Sequence, residues 1–254
     1  MKKLALLGIG AAAITGVFVA THQSHAADHL DSPTAMANPM ADIGDVYAWM
    51  DSTSGKVNLA MTVSPKDDGT HSFDNSIQYA WHITNHPGQP AFAAFGKAGA
   101  TTNVICTFTE NTSIQCWVVS GTTVLDYVTG DPSEDGISSA DGKLTVFAGR
   151  RSDPFFFNLG GFKSAVAEVE EAGSNISLDA AGCPQLDAIT AGGLRTLLAS
   201  PPTTAISPCA ALQIDCFQTF DVMALVVQVD PGIVGVDASN ILLSVWGSTH
   251  ATVL

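Results

Sequence analysis

Basic residues are scarce in this chain. Ten lysines and arginines face 24 aspartates and glutamates, a formal charge of −14 at neutral pH. A surface that acidic repels phosphate backbones and anionic lipid, which argues against nucleic acid and acidic membranes as partners. A cation, a protein or a glycan remains open as a ligand, and plain solubility is the alternative reason for the acidity. Long apolar runs are also missing after residue 20. The longest, Val222 to Val229, is of strand length and carries Gln228, so no transmembrane segment is predicted once the N-terminal stretch is removed. Catalytic motifs are missing too. There is no Gly-x-Ser-x-Gly elbow, phosphate loop or dinucleotide fingerprint, and no serine has an obvious His and Asp context, so nucleophilic catalysis lacks motif support. No cysteine spacing matches Cys-x-x-Cys, and there is no internal repeat, low-complexity tail or interdomain linker.

The N-terminus reads as an address. Lys2 and Lys3 precede the apolar run Leu4 to Ala20, and Ser24 and Ala26 are small residues where a signal peptidase reads. Residues 1–26 are therefore expected to be a cleaved secretory signal. A retained anchor is the competing reading, opposed by the shortness of the run and by Gly8, Gly10 and Gly16 within it. Cleavage would leave residues 27–254 as one β-rich domain, with eight basic residues against 24 acidic ones, in the periplasm or outside the cell. Five cysteines fit an oxidising compartment. Cys106 and Cys116 lie in two alternating runs around Asn111, Thr112 and Ser113 and are expected to form a cross-strand disulfide. Among Cys183, Cys209 and Cys216 two would pair and one would be left over, the alternative being three buried thiols.

Alternating or β-branched runs recur at 45–51, 57–64, 76–84, 102–109, 114–120, 124–129, 143–148, 222–230 and 241–248. Turn-forming Gly, Asn, Asp and Pro separate them. The expected fold is mainly β, an antiparallel sandwich or barrel-like single domain, because antiparallel strands need only tight connections. An insertion at about 162–217 carries two helices. Residues 162–172 form the first, with Phe162, Val166 and Val169 on one face and Gly173 as its stop; residues 186–199 form a weaker second, interrupted by Gly192 and Gly193 and ended by Pro201 and Pro202.

Three segments carry candidate chemistry. His29 and Asp31 would share one face of a strand, and Asp42 and Asp45 could complete a metal site with them. The structural alternative has Asp42 and Asp45 in a turn that launches a strand on which Tyr47 and Trp49 pack. In the second segment Asp131, Ser133, Asp135, Gly136 and Ser139 fall on positions 1, 3, 5, 6 and 9 of a calcium-loop template, so calcium is the candidate cofactor. Gly142 stands where the bidentate glutamate belongs, and the flanks read as strands, so an acidic hairpin loop is the alternative. The third segment sets Arg150 and Arg151 beside Asp153 and three phenylalanines, which suggests a structural ion pair at an apolar core; an arginine gripping an anionic ligand is the alternative. Residues 66–69 read as a turn, and the histidines at 71, 82, 86 and 250 as scattered.

Four segments together carry a resemblance: His29-Leu-Asp-Ser-Pro33, Asp42-Ile-Gly-Asp45-Val-Tyr-Ala-Trp49, Phe147-Ala-Gly-Arg-Arg-Ser-Asp-Pro-Phe-Phe-Phe157 and Val245-Trp-Gly-Ser-Thr-His250. In order and residue type they resemble the bacterial exported domain-of-unknown-function family 4331. This chain departs from that pattern at Leu30, Asp31, Ser32, Trp49 and Asn158. The resemblance implies an envelope location and no established reaction. The leading expectation is thus an exported, non-enzymatic binding or structural domain with calcium as a stabilising ion. A hydrolase using a metal held by His29, Asp31, Asp42 and Asp45 is the rival, and a cation-bridged adhesion or surface-layer component is the third reading.

Overall fold

The computed structural model describes residues 33–87, 98–109, 113–237 and 241–251. Residues 1–26, expected from the sequence to be a secretory signal, lie outside the described residues, as do His29 and Asp31. Ten strands follow a short helix α1 (Pro33–Ala37): β1 (Ile43–Met50), β2 (Val57–Val63), β3 (Ile77–Asn85), β4 (Thr101–Thr109), β5 (Ser113–Ser120), β6 (Thr123–Gly130), β7 (Ile137–Ser138), β8 (Leu144–Ser152), β9 (Asp221–Val229) and β10 (Leu243–Ala251). Helices α2 (Leu159–Ala172) and α3 (Ala188–Ala199) fall between β8 and β9. The strands form two antiparallel five-stranded sheets, A in the order β1-β2-β9-β8-β7 and B in the order β10-β3-β4-β5-β6. The fold is a β-sandwich, as the alternating runs predict.

Period-two burial builds the core. On β4, Thr102, Val104, Cys106 and Phe108 point inward and are buried, while Asn103, Ile105 and Thr107 point out. On the facing sheet, Leu59, Met61 and Val63 of β2 and Leu225, Val227 and Val229 of β9 supply the opposing layer. Phe73 stacks on Phe108 with ring centroids 4.2 Å apart, and Tyr79 meets both rings edge-on, filling one end of the core. Cys106 and Cys116 are register partners on this inward side and are joined by a disulfide. At the corner where β1 approaches β10, a Cβ on Gly247 would come within 2.8 Å of Met61 and Val46, so glycine lets the two sheets close there.

The excursion between β8 and β9 is tied at its root. Asp153 N–H donates to the Phe220 carbonyl and Cys216 N–H to the Phe157 carbonyl. Phe155 packs on Phe157 and Phe217, Phe157 on Phe162, and Phe217 on Phe220. A second disulfide joins Cys209 to Cys216 and leaves Cys183 as an exposed free thiol. Helix α2 begins earlier than the periodicity suggests, because the Asn158 side chain caps it by accepting from Gly161 N–H. Its buried residues are Gly160, Gly161 and Ala165; the expected apolar face of Phe162, Val166 and Val169 keeps more than a third of its surface exposed. Val169 instead lines an apolar groove of about 530 Å³ together with Ile176, Leu186, Leu194 and Leu197. Among the described residues no helix is long and apolar enough to cross a membrane.

Candidate functional site

Among the described residues, the sequence-derived candidates occupy separate elements. Asp42 ends a one-turn helix at Pro39–Ala41, its N–H donating to the Pro39 carbonyl. Asp45 sits in a bulge of β1 where its N–H donates to Thr62 Oγ1 at 2.8 Å. Its carboxylate charge acts on Tyr47. Burial first, then Asp45 and Asp153, push the Tyr47 hydroxyl up to a pKa of about 12. The Asp45-x-Tyr47 and Arg-Ser-Asp153 segments, far apart in sequence, thus converge around one phenol. Trp49, expected to pack, is half exposed.

The 131–142 stretch crosses from β6 in sheet B to β7 in sheet A, and only its last residues form a hairpin turn, between β7 and β8. Asp131 accepts from Ser133 N–H at 3.0 Å, and the backbone and hydroxyl of Ser133 hold its exposed carboxyl below the usual range. Gly136 supplies the left-handed turn with φ +76 that the template asks for. Ser139, however, is buried and committed: its hydroxyl donates to Asp126 at 2.7 Å and accepts from Leu144 N–H at 3.1 Å.

Arg150 pairs across the molecule. Its Nη2 lies 2.9 Å from Asp221 and donates to the Asp67 carbonyl at 2.9 Å, while Nε lies 3.4 Å from the Asp67 carboxylate. Arg151 lies over the Phe147 ring at 4.1 Å, and Asp153 caps a turn by accepting from Phe155 N–H. Residues 66–69 do turn, but what the turn holds is a carboxylate without solvent exposure. Asp67 receives Ser64 Oγ at 3.1 Å, Gly69 N–H at 2.8 Å and His71 Nδ1 at 3.0 Å besides Arg150. Gly69 has φ +86, and a Cβ there would strike the Arg150 guanidinium. Asp67, Asp68 and His71 are, among the described residues, the one trio of ionisable ligands with all ligand atoms within 4.8 Å of each other. Both oxygens of Asp67 already have protein donors, so the cluster is complete as a structural clamp.

The remaining concentration of chemistry is the outer face of sheet B. Three rungs cross all five strands there. Trp246, His82, Asn103, Val119 and Val124 form one; Ser248, Ala80, Ile105, Trp117 and Tyr127 the next; His250, Gln78, Thr107, Gln115 and Thr129 the third. None carries a formal charge. The rungs hold a connected polar relay. The Asn103 side-chain oxygen accepts from His82 Nδ1 at 2.8 Å, which leaves Nε2 of that ring to accept from the Ser248 hydroxyl at 2.8 Å. Ser248 in turn accepts from His250 Nε2 at 2.7 Å. The Trp246 indole stacks on His82 with centroids 3.7 Å apart and stays 56% exposed. At the other side of the face Trp117 and Tyr127 pair at 5.5 Å.

Ser248, His82 and Asn103 thus stand in the order nucleophile, base and orienting group. Among the described residues, the ladder backbone offers Ser248 no oxyanion donor. Donors for an oxyanion would have to aim above the face, whereas ladder N–H groups lie in the plane of the sheet. The arrangement therefore fixes donors and acceptors in place on an aromatic, uncharged surface. Sequence reading missed it because the four residues are up to 168 positions apart, from His82 to His250. The available signal was indirect: the period-two alternation puts every one of them on the outward side once β10 is placed beside β3.

No protein-family model matches the chain, and neither the curated proteins nor the solved structures contain a match to it.

Proposed function

We propose that this chain is an exported, non-enzymatic binding domain whose ligand surface is the outer face of sheet B. The observation that carries the reading is the absence of Asp, Glu, Lys and Arg from those three rungs in a chain with 24 acidic residues. Solvated surfaces of small domains intersperse charges for solubility. A face that excludes them while presenting Trp246, Trp117 and Tyr127 has the composition of an interface centre, where charge is depleted and aromatic residues are enriched. Export is supported by the N-terminal Lys-Lys-apolar-small pattern and by two disulfides, which persist in oxidising compartments.

Cosedimentation of the mature protein with envelopes of its source cells tests the reading. Trp246→Ala and Tyr127→Ala should each weaken binding about ten-fold. Trp49→Ala serves as the control, since Trp49 is an exposed aromatic residue that belongs to sheet A. Equal loss in the control, or none in the two face variants, overturns the proposal.

A further inference from the structure

Taking that face as the ligand surface, we infer that its occupant is a neutral polysaccharide. A sugar ring presents C–H groups on its faces and hydroxyls around its rim. The C–H groups carry partial positive charge and settle on the negative face of an aromatic ring. The hydroxyls both donate and accept, so amides and hydroxyls match them without any formal charge. Sheet B offers this pair of chemistries together.

Aromatic rings stand at both sides of the face. One side of the Trp246 indole is taken by His82, and the residue keeps 56% of its surface open. Trp117 and Tyr127 stand on β5 and β6, and Tyr127 is 39% exposed. Three strand spacings separate β10 from β5, about 14 Å. That span suits a chain of several sugars rather than a single ring. Between the aromatic-bearing strands lie Gln78 on β3 and Asn103 on β4, and beside the aromatics themselves stand Ser248 on β10 and Gln115 on β5, side chains that donate or accept hydrogen bonds. The relay from Asn103 through His82 and Ser248 to His250 holds several of these groups in place before a ligand arrives, so less rotamer entropy is lost on binding.

Charge selects among ligand classes. A polyanion is repelled by the net −14 of the molecule, and a basic peptide finds no carboxylate on these rungs. A neutral polymer meets neither obstacle. Its binding should also be almost independent of salt, since no ion pair is made.

Affinity electrophoresis through gels containing β-glucan, xylan, mannan or chitin derivatives, with polygalacturonate as the anionic comparison, provides the test. The exported protein should be retarded by at least one neutral polymer, equally with and without about 0.5 M NaCl. Trp246→Ala and Tyr127→Ala should each reduce that retardation about ten-fold while keeping the native melting temperature. A variant that melts early is replaced by Trp246→Phe or Tyr127→Phe, which keep a ring and should retain part of the binding. Retardation by polygalacturonate alone overturns the inference, and so does a neutral interaction insensitive to all these variants. If no polymer binds but envelopes still capture the protein through Trp246, the polysaccharide is wrong and the face remains the ligand surface. If envelope binding is insensitive to Trp246 as well, the face itself is wrong. A Trp246-dependent dimer in sedimentation equilibrium would assign the face to a second copy of the chain and likewise refute the polysaccharide.

Discussion

Arg150 and Asp67 pair a half-exposed guanidinium with a buried carboxylate. The Asp67 side chain has no solvent exposure, whereas Arg150 keeps 42% of its side chain in water. Arg150→Ala would leave a buried carboxylate with hydrogen-bond donors but without its guanidinium. Breaking a fully buried pair costs about 3–5 kcal/mol, and the exposed arginine places this case near or below the lower end, at about 2–3 kcal/mol. Urea unfolding measures it; a loss below about 0.5 kcal/mol would show that Ser64, Gly69 and His71 suffice. Tyr47 makes an alkaline prediction. Its folded pKa of about 12 lies above the ordinary 10.0, so the unfolded chain loses the phenol proton first as pH rises. The stability due to the neutral phenol is complete below pH 10 and drains away between about pH 10 and 12. Tyr79, raised chiefly by burial, acts in the same direction. The fall in urea midpoint between about pH 9 and 11 should therefore be shallower in Tyr47→Phe, and parallel declines would contradict the assignment. Little of this was legible beforehand. The turn at 66–69 could be read from Asp-Asp-Gly, but burial of Asp67 depends on Arg150 arriving from β8, more than 80 positions away.

At the scale of elements the sequence is far more transparent. Alternation located nine of the ten strands, because each has one face against the core and register slips would turn that face outward. The tenth, β7, is two residues long and exists through its pairing with Val146 and Thr145. The start of β1 escaped for a different reason: Gly44 and Asp45 form a bulge that breaks the period. The cysteines were readable where the hairpin is regular. Cys106 and Cys116 follow from alternation around a turn, whereas the choice of Cys209 and Cys216 over Cys183 required the return of the chain to Phe157. Thiol titration of the unreduced protein should find one reactive cysteine per chain, in native buffer and in denaturant alike; additional thiols on unfolding would contradict the pairing. Replacing Cys106 and Cys116 together by alanine should cost about 2–3 kcal/mol, as expected for a short closed loop.

Over the whole molecule, the two sheets present surfaces of different composition. Sheet A carries the helical excursion, rooted by five phenylalanines and a disulfide, together with the Arg150 clamp. Sheet B presents uncharged rungs with aromatic residues at both sides. Composition alone hides that division, since a net charge of −14 describes the chain and not the face that lacks charge. Hydroxyl-radical footprinting with source envelopes tests the division most directly, by reading oxidation at Trp49, Trp117, Tyr127 and Trp246 in one experiment. Protection of Trp246, Tyr127 and Trp117, with Trp49 unchanged, is the result the account predicts. Protection of Trp49 or of the apolar groove between α2 and α3, with Trp246 still oxidised at its free rate, would contradict it.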